Sequence, residues 1–385
     1  VVYATLSSGG GMSAWALAGP DFTDARASLV SAAANGYLYV STGSFGWYDD
    51  IQYIKLNMAD GTLSGSWTTS SVTTTRRADA MGGIYNGYLY IAGGCQSWTL
   101  GNCNSPINTV QYAQIYNGGG GGATSWTSTG MTALPEARRH HGTVAYNGYL
   151  YALGGINGSN SWLSTIVYSP ITAAGNGSWT ATNSYATSNN DQGVGYVAYN
   201  GYMYKIAGQS DGHITKNDVQ YAPINSDGSL GTWQYTWNNT SGGAQGGGLV
   251  TNRHSFGVTA YNGRLYVSGG CTNSGLLNPC TAITSTTETA TINADGTVGA
   301  WSTIATNLPS NRWQHRMVGY NDYLYVIAGC EAVATNACSG HTARVDYALT
   351  TSSGLASDAG CGTMWCRATD VPTARKDVAA YGYNG

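Results

Sequence analysis

An all-β repeat fold of four-stranded antiparallel units is predicted by three observations. The phrase Asn35-Gly36-Tyr37-Leu38-Tyr39 returns as Asn86-Gly87-Tyr88-Leu89-Tyr90, Asn147-Gly148-Tyr149-Leu150-Tyr151, Asn200-Gly201-Tyr202-Met203-Tyr204, Asn262-Gly263-Arg264-Leu265-Tyr266 and Asn321-Asp322-Tyr323-Leu324-Tyr325, and Asn384-Gly385 opens a seventh copy. Successive Asn residues stand 51 to 63 positions apart, an interval too long for ankyrin, tetratricopeptide or leucine-rich units. A Trp recurs towards the end of each unit: Trp67, Trp126, Trp179, Trp233, Trp301 and Trp365.

Each element follows from local pattern. A first strand such as Gly142 to Tyr146 alternates small and apolar residues, Asn-Gly supplies the two positive-φ residues of a type I′ turn, and Tyr149 to Leu153 returns as the second strand. A third strand, after a variable loop, is marked by Gln52-Tyr53, Val110-Gln111-Tyr112, Val167-Tyr168, Val219-Gln220-Tyr221 and Asp346-Tyr347. The Trp marks the fourth, and Asp227-Gly228 and Asp295-Gly296 make turns between third and fourth strands. Gly118 to Gly122 falls in the same kind of turn and reads as a flexible connection.

The third copy, with Arg138 after Pro135, His140-His141, the hairpin, Gly154-Gly155 and Trp179, resembles the bacterial secreted kelch-repeat family, and the resemblance runs through the whole chain. It implies a kelch-type β-propeller and no single activity, because propellers host enzymes, lectins and protein-binding modules alike. Counting repeats predicts a single domain over 1–385 with seven blades: 24–70, 75–130, 136–182, 190–236, 251–303 and 310–367, approximately, and one split between 1–18 and 370–385. Joining the N- and C-terminal strands would close the ring and remove open sheet edges. Val1 to Ala4 and Trp15 match the third and fourth strands of the split blade and Arg375 to Tyr383 its first, whereas about 20 residues carrying its second strand are missing, judged from repeat length. Further residues of a longer chain, or a strand donated by a neighbouring subunit, are expected to fill that place.

Composition narrows the setting. With 9% charged residues, 55 Gly and a net charge of −3, the chain is neither a disordered polymer nor a basic nucleic-acid binder. No apolar stretch approaches the ~20 residues a membrane helix needs, so no membrane insertion of this region is expected. The cysteines fall into local pairs, Cys95–Cys103, Cys271–Cys280, Cys330–Cys338 and Cys361–Cys366, without the short knuckles of zinc sites. They read as disulfides rather than metal ligands, which implies an oxidising compartment and a secreted or cell-surface protein. No metal and no cofactor are expected.

Strand reversal places the second-to-third loops and the links between units at one end of the sheets, here termed the loop end. The first three Cys pairs map there, as do His140, His141, His213, His254, His315 and His341 and the non-repeating Trp47, Trp98, Trp162, Trp237 and Trp313, so function is expected at that end. Trp47, Trp98, Trp162 and Trp313, with His254 and His315, are candidate contacts for a glycan or protein. Nine residues before each hairpin Asn stand Arg26, Arg77, Arg138, Arg253, Arg312 and Arg375, with Asp191 in the fourth unit. Guanidinium groups at a channel mouth suit a carboxylate, but six equivalent copies point to structural bonds with a neighbouring blade's backbone or with local acids such as Glu136, Asp79 and Asp377. Asp191 breaks the pattern and is a candidate ligand position.

Catalytic patterns are weak. Adjacent His140 and His141 would diverge in a strand, and His-Glu-x-x-His, Gly-x-Ser-x-Gly and phosphate-loop motifs are absent. Copper-radical sugar oxidases share the architecture but need a Cys free to crosslink a Tyr, and each Cys here has a local partner. Ser226 to Trp233 imitates a sialidase Asp-box with its Asp-to-Trp spacing one residue too long. Sequons stand at Asn157, Asn176, Asn238 and Asn239. The expected function is an extracellular binding, adhesion or surface-assembly module, with a secreted carbohydrate-active enzyme or a structural subunit of a surface appendage as alternatives.

Overall fold

The computed structural model describes residues 2–4, 6, 13–14, 16–17, 29–43, 49–56, 63–70, 75–99, 102–103, 105–115, 123–124, 126–172, 175–185, 193–210, 214–236, 248–273, 280–334, 337–359, 361–374 and 376. Among them regular structure is entirely β. Repeat 1 forms an antiparallel sheet of Val30–Ala34, Tyr37–Ser41, Ile51–Leu56 and Leu63–Ser70 in sequence order. Repeat 4 does so with Gly195–Tyr199, Tyr202–Ser210, Ile214–Pro223 and Gln234–Tyr235, and repeat 5 with Gly257–Tyr261, Arg264–Ser268, Thr287–Thr291 and Ser302–Thr303. Repeat 3 has Gly142–Tyr146, Tyr149–Leu153, Ile166–Thr172 and Thr180–Thr182, and repeat 6 has Arg316–Tyr320, Tyr323–Ile327, Val345–Thr351 and Cys366–Arg367. In repeat 2, Met81–Tyr85, Tyr88–Ala92 and Val110–Gln114 are followed by a bridge from Tyr112 to Thr127. Val2–Tyr3 and Ala16–Leu17 pair as a two-stranded sheet. The segment read as the first strand of a seventh blade, Arg375 to Tyr383, lies outside the described residues apart from Lys376.

The turns take the conformation that their residues permit. Asn147 and Gly148 have φ of 48° and 84°, and Asn35, Asn86, Asn200 and Asn262 with their glycines repeat the pair. This is the type I′ geometry whose twist matches the flanking strands. Repeat 6 does it with Asn321 and Asp322, at 52° and 65°. The fixed register, Tyr146 opposite Tyr149 and Gly142 opposite Leu153, then sends alternate side chains to each face.

The chain packs as two compact units, one mainly Leu17–Ser184 and the other mainly Val2–Ala16, Tyr185–Asn225 and Leu230–Gly385. In the first, the first strands of repeats 1, 2 and 3 lie side by side; in the second, those of repeats 4, 5 and 6. Tyr204 and Ile206 of repeat 4 share a buried cluster with Leu265, Val267 and Trp301 of repeat 5, each large side chain contributing roughly 1.5–3 kcal/mol. Tyr204 donates to Gly296 O in the Asp-Gly turn of that next repeat, 2.9 Å away, which satisfies a hydroxyl that burial would otherwise leave costly.

Candidate functional site

The loop end is built on the recurring Arg. Arg77, Arg138, Arg253 and Arg312 are at most 1% exposed. Arg138 Nη1 donates to Gly154 O at 3.0 Å and Thr165 O at 3.2 Å, and Arg77 and Arg253 make the same pair of bonds to Gly93 and Thr109 and to Gly269 and Thr286. Each guanidinium therefore ties the exit of its own second strand to the entry of its own third. These backbone bonds run within a repeat rather than to a neighbouring one, a correction to the expected backbone partners. Asp79 instead meets His140 Nε2 at 3.0 Å, and Glu136 accepts from Asn157 Nδ2 at 2.7 Å. The link to the neighbour is made by the Arg carbonyl, which accepts from Gly43, Gly94, Gly208 and Gly270 of the preceding repeat onto Arg77, Arg138, Arg253 and Arg312. Arg26, Arg375 and Asp377 lie outside the described residues.

The acidic or amide partner varies. Arg77 reaches Gln111 Oε1 at 2.7 Å, Arg253 pairs with buried Glu288, and Arg312 meets Asp346 at 2.9 Å and Glu331 at 3.1 Å. Repeat 4, which carries Asp191 in the Arg position, places Lys205 Nζ 3.5 Å from Asp218, both side chains largely buried. Lys205 comes from the second strand, opposite Gln220, whose Nε2 also donates to Asp218 at 2.8 Å. Asp191 itself lies outside the described residues.

Two positions after each Arg the backbone turns into the left-handed region: Asp79, His140, Ser255 and Gln314 have φ of 51–53°, and Gly193 of repeat 4 has 66°. The chain thereby steps into the first strand. His140 and His141 precede that strand rather than occupying it, so their divergence arises from this turn and not from strand alternation.

In the second compact unit these steps build a cleft. Ser255 N donates to Gly193 O and Gln314 N to Ser255 O, both at 2.9 Å, lining up three successive repeats. The cleft between them has a volume of about 220 Å³ and is lined by Gly193 and Val194, Ser255 and Phe256, and Gln314, His315 and Arg316. Arg316 is exposed, and Lys376 Nζ donates to Gln314 Oε1 at 3.1 Å. His315 is buried, with Nε2 2.9 Å from Ser268 Oγ and Nδ1 without a hydrogen-bond partner. Burial first, then the charges of Arg312, Arg316 and Arg253, hold its pKa well below the usual imidazole value, so the ring is neutral. Its seat requires glycine: a Cβ on Gly269 would lie 2.8 Å from His315 Cε1, and one on Gly257 2.5 Å from Nε2.

Disulfides brace the surroundings. Cys95–Cys103, Cys271–Cys280, Cys330–Cys338 and Cys361–Cys366 are all formed, in the pairing read from sequence. Cys95, Cys271 and Cys330 each follow the glycine that ends a second strand, and each bridges the residue after the Arg: Ala78, His254 and Trp313. Asp358, Cys361 and Cys366 come close enough to suggest a metal site, but both sulfurs are committed to a disulfide.

The sequence candidates separate accordingly. Trp313 is 7% exposed and packs among Cys271, Cys280 and Cys330, so it offers no open stacking face, which corrects the expectation of an exposed contact. His254 is 1% exposed with Nδ1 beside Ser255 Oγ at 3.1 Å, directly beneath the cleft residue Ser255, while His315 lines the cleft. Trp162 is half-buried in the repeat 3 loop; Trp98 lies in a short hairpin with Asn102–Cys103; Trp47 is outside the described residues. The sequon residue Asn176 is buried and bonded to Ser169, Gly177 and the Thr132 amide, so it is a packing residue rather than an open acceptor. Gly193, Ser255, Gln314 and Arg316 were not evident from motifs. The available signal was register: at the position opening the first strand, Val30, Met81, Gly142, Gly195 and Gly257 are apolar or small, and Arg316 alone is charged.

A kelch motif model matches residues 137–172, the span that carries Arg138, the hairpin and the third strand. No curated protein matches the sequence. Among solved structures, the chain is similar to the one titled "Structure of YjhT", a kelch-type propeller, with a TM-score of 0.59, 15% identity, and coverage of 88% of this chain and 99% of that one. Residues 137–172 thus carry a kelch motif, its turn and glycine pattern returns in the other repeats, and the fold is of the β-propeller class.

Proposed function

We propose that this protein is an extracellular binding module that takes a glycan or protein ligand at its loop end, with the cleft between Gly193, Ser255 and Gln314 as the contact point. The observation that carries the reading is the cleft's construction: the same register positions of three consecutive repeats converge, hydrogen-bonded backbone to backbone, over a buried neutral imidazole. Such preorganisation lowers the ordering cost of binding. The four disulfides are consistent with an extracellular setting, and no helix among the described residues is long and apolar enough to cross a membrane. Ser255→His tests the reading, because His140 shows that the register accepts a His at this backbone conformation. The variant is expected to lose binding on glycan arrays and in surface-attachment assays while melting like the wild type. Undiminished attachment would remove the cleft from the binding surface.

A further inference from the structure

One register position differs between the seams that join successive repeats. Three residues after the recurring Arg, or after Asp191 in repeat 4, stand Ala80, His141, Val194, Phe256 and His315. Repeats 2, 4 and 5 fill the place with an apolar side chain, whereas repeats 3 and 6 fill it with an imidazole that is only 1% and 6% exposed. Each ring is wedged against the end of the preceding repeat's second strand: a Cβ on Gly93 would lie 2.9 Å from His141 Cε1, and one on Gly269 2.8 Å from His315 Cε1. One backbone bond closes each seam beside the ring, from Gly94 N to Arg138 O at 2.9 Å and from Gly270 N to Arg312 O at 2.7 Å. Neither nitrogen of His141 has a hydrogen-bond partner, and His315 has one at Nε2 alone, Ser268 Oγ. Leaving a buried polar group unpaired costs stability, and Ala80, Val194 and Phe256 show that the register accepts apolar residues. Packing therefore does not account for the imidazoles.

We infer that the seams between repeats 2 and 3 and between repeats 5 and 6 are acid-operated joints, each parted by protonation of its wedged histidine. Cations surround both rings. Among the described residues, His141 faces Arg138 and His140 of its own repeat and, across the seam, Arg77, which holds Gly93 O at 2.9 Å; Asp79 is engaged by His140. His315 faces Arg312 and Arg316 and, across the seam, Arg253, while Asp346 and Glu331 pair with Arg312 and Glu288 with Arg253. Burial first, then these cations, keep both rings neutral in the closed seam, whereas a parted seam hydrates them and restores the ordinary imidazole value of 6.5. The closed seam is thus fully stable above that value and loses stability as pH falls below it, the parted form gaining about tenfold per pH unit. The second joint borders the cleft, which His315 lines, and the Gln314 N–Ser255 O bond crosses the same seam, so its parting takes apart one side of the cleft.

The test is amide hydrogen exchange of the full chain at single-residue resolution between pH 7 and pH 5, corrected for the intrinsic pH dependence of exchange. Protection at Gly94 and Gly270 falls about tenfold or more over that range. At Gly43, which donates to Arg77 O at 3.0 Å across the seam that carries Ala80, it holds. His141→Val removes the change at Gly94 alone and His315→Phe removes it at Gly270 alone, each with a residue type that the register already carries. His141→Gln and His315→Gln, neutral throughout, give the same result. Constant protection at Gly94 or Gly270, an equal loss at Gly43, or a pH response that survives in these variants overturns the inference.

Discussion

Arg138 and Arg253 occupy one register but leave different holes when removed. Arg138 bonds the Gly154 and Thr165 carbonyls and the Thr165 hydroxyl, whereas Arg253 also neutralises Glu288, itself fully buried. Arg138→Met therefore strands carbonyls, at about 1–3 kcal/mol, and Arg253→Met strands a buried carboxylate, at about 3–5 kcal/mol. Chemical denaturation should rank them in that order, and adding Glu288→Gln to Arg253→Met should recover part of the loss. The recurrence of Arg was legible in the sequence; its acceptors were not, because backbone carbonyls leave no residue-type signature. His141 supplies a second test. Burial, then Arg138 and His140, lower its pKa to about 3, and neither ring nitrogen has a hydrogen-bond partner. The folded state thus binds fewer protons than the unfolded chain between about pH 6.5 and 3, so this contribution to stability is whole above the unfolded pKa and fades as pH falls through that window. His141→Val, the residue type that Val194 places at the same register, should flatten the fall in melting temperature between pH 7 and pH 5 relative to wild type.

Hairpins and their turns were the most readable elements, since Asn-Gly between alternating runs has one favoured geometry. All six Asn positions of the described repeats adopt it. Fourth strands were less so: Trp179, Trp233, Trp301 and Trp365 immediately precede strands of only two or three residues, and the indoles of Trp233, Trp301 and Trp365 are buried, so the pairing needs little chain. The two glycine classes should respond differently to substitution. A Cβ on Gly148 has its first neighbour 3.8 Å away, so Gly148→Ala costs only the left-handed backbone, roughly 1–2 kcal/mol. A Cβ on Gly94 lies 2.8 Å from Ala78 O, and Gly94→Ala adds roughly 1–3 kcal/mol of overpacking to the same backbone term. Thermal melts of the two variants check the order; equal losses would mean that the close approach at the loop end carries no energy.

At the scale of the molecule, the repeat period announced the propeller fold, and the cysteine spacing announced four bridges that brace its loops. The cleft was hidden because its residues are scattered over three repeats and none belongs to a motif; only the odd charge of Arg316 marked it. Trp313 misled for the converse reason, since it breaks the repeat pattern in order to fill space between two disulfides. Binding at the cleft leaves a mark that the turn end of the same strands would not share. Amide hydrogen exchange of the intact protein, with and without a glycan that it binds on the arrays, reads both ends at once. Protection is predicted at Gly193–Val194, Ser255–Phe256 and Gln314–Arg316, with the turns at Asn200-Gly201, Asn262-Gly263 and Asn321-Asp322 unchanged. Protection confined to those turns, or absent from the three cleft segments, would contradict the account.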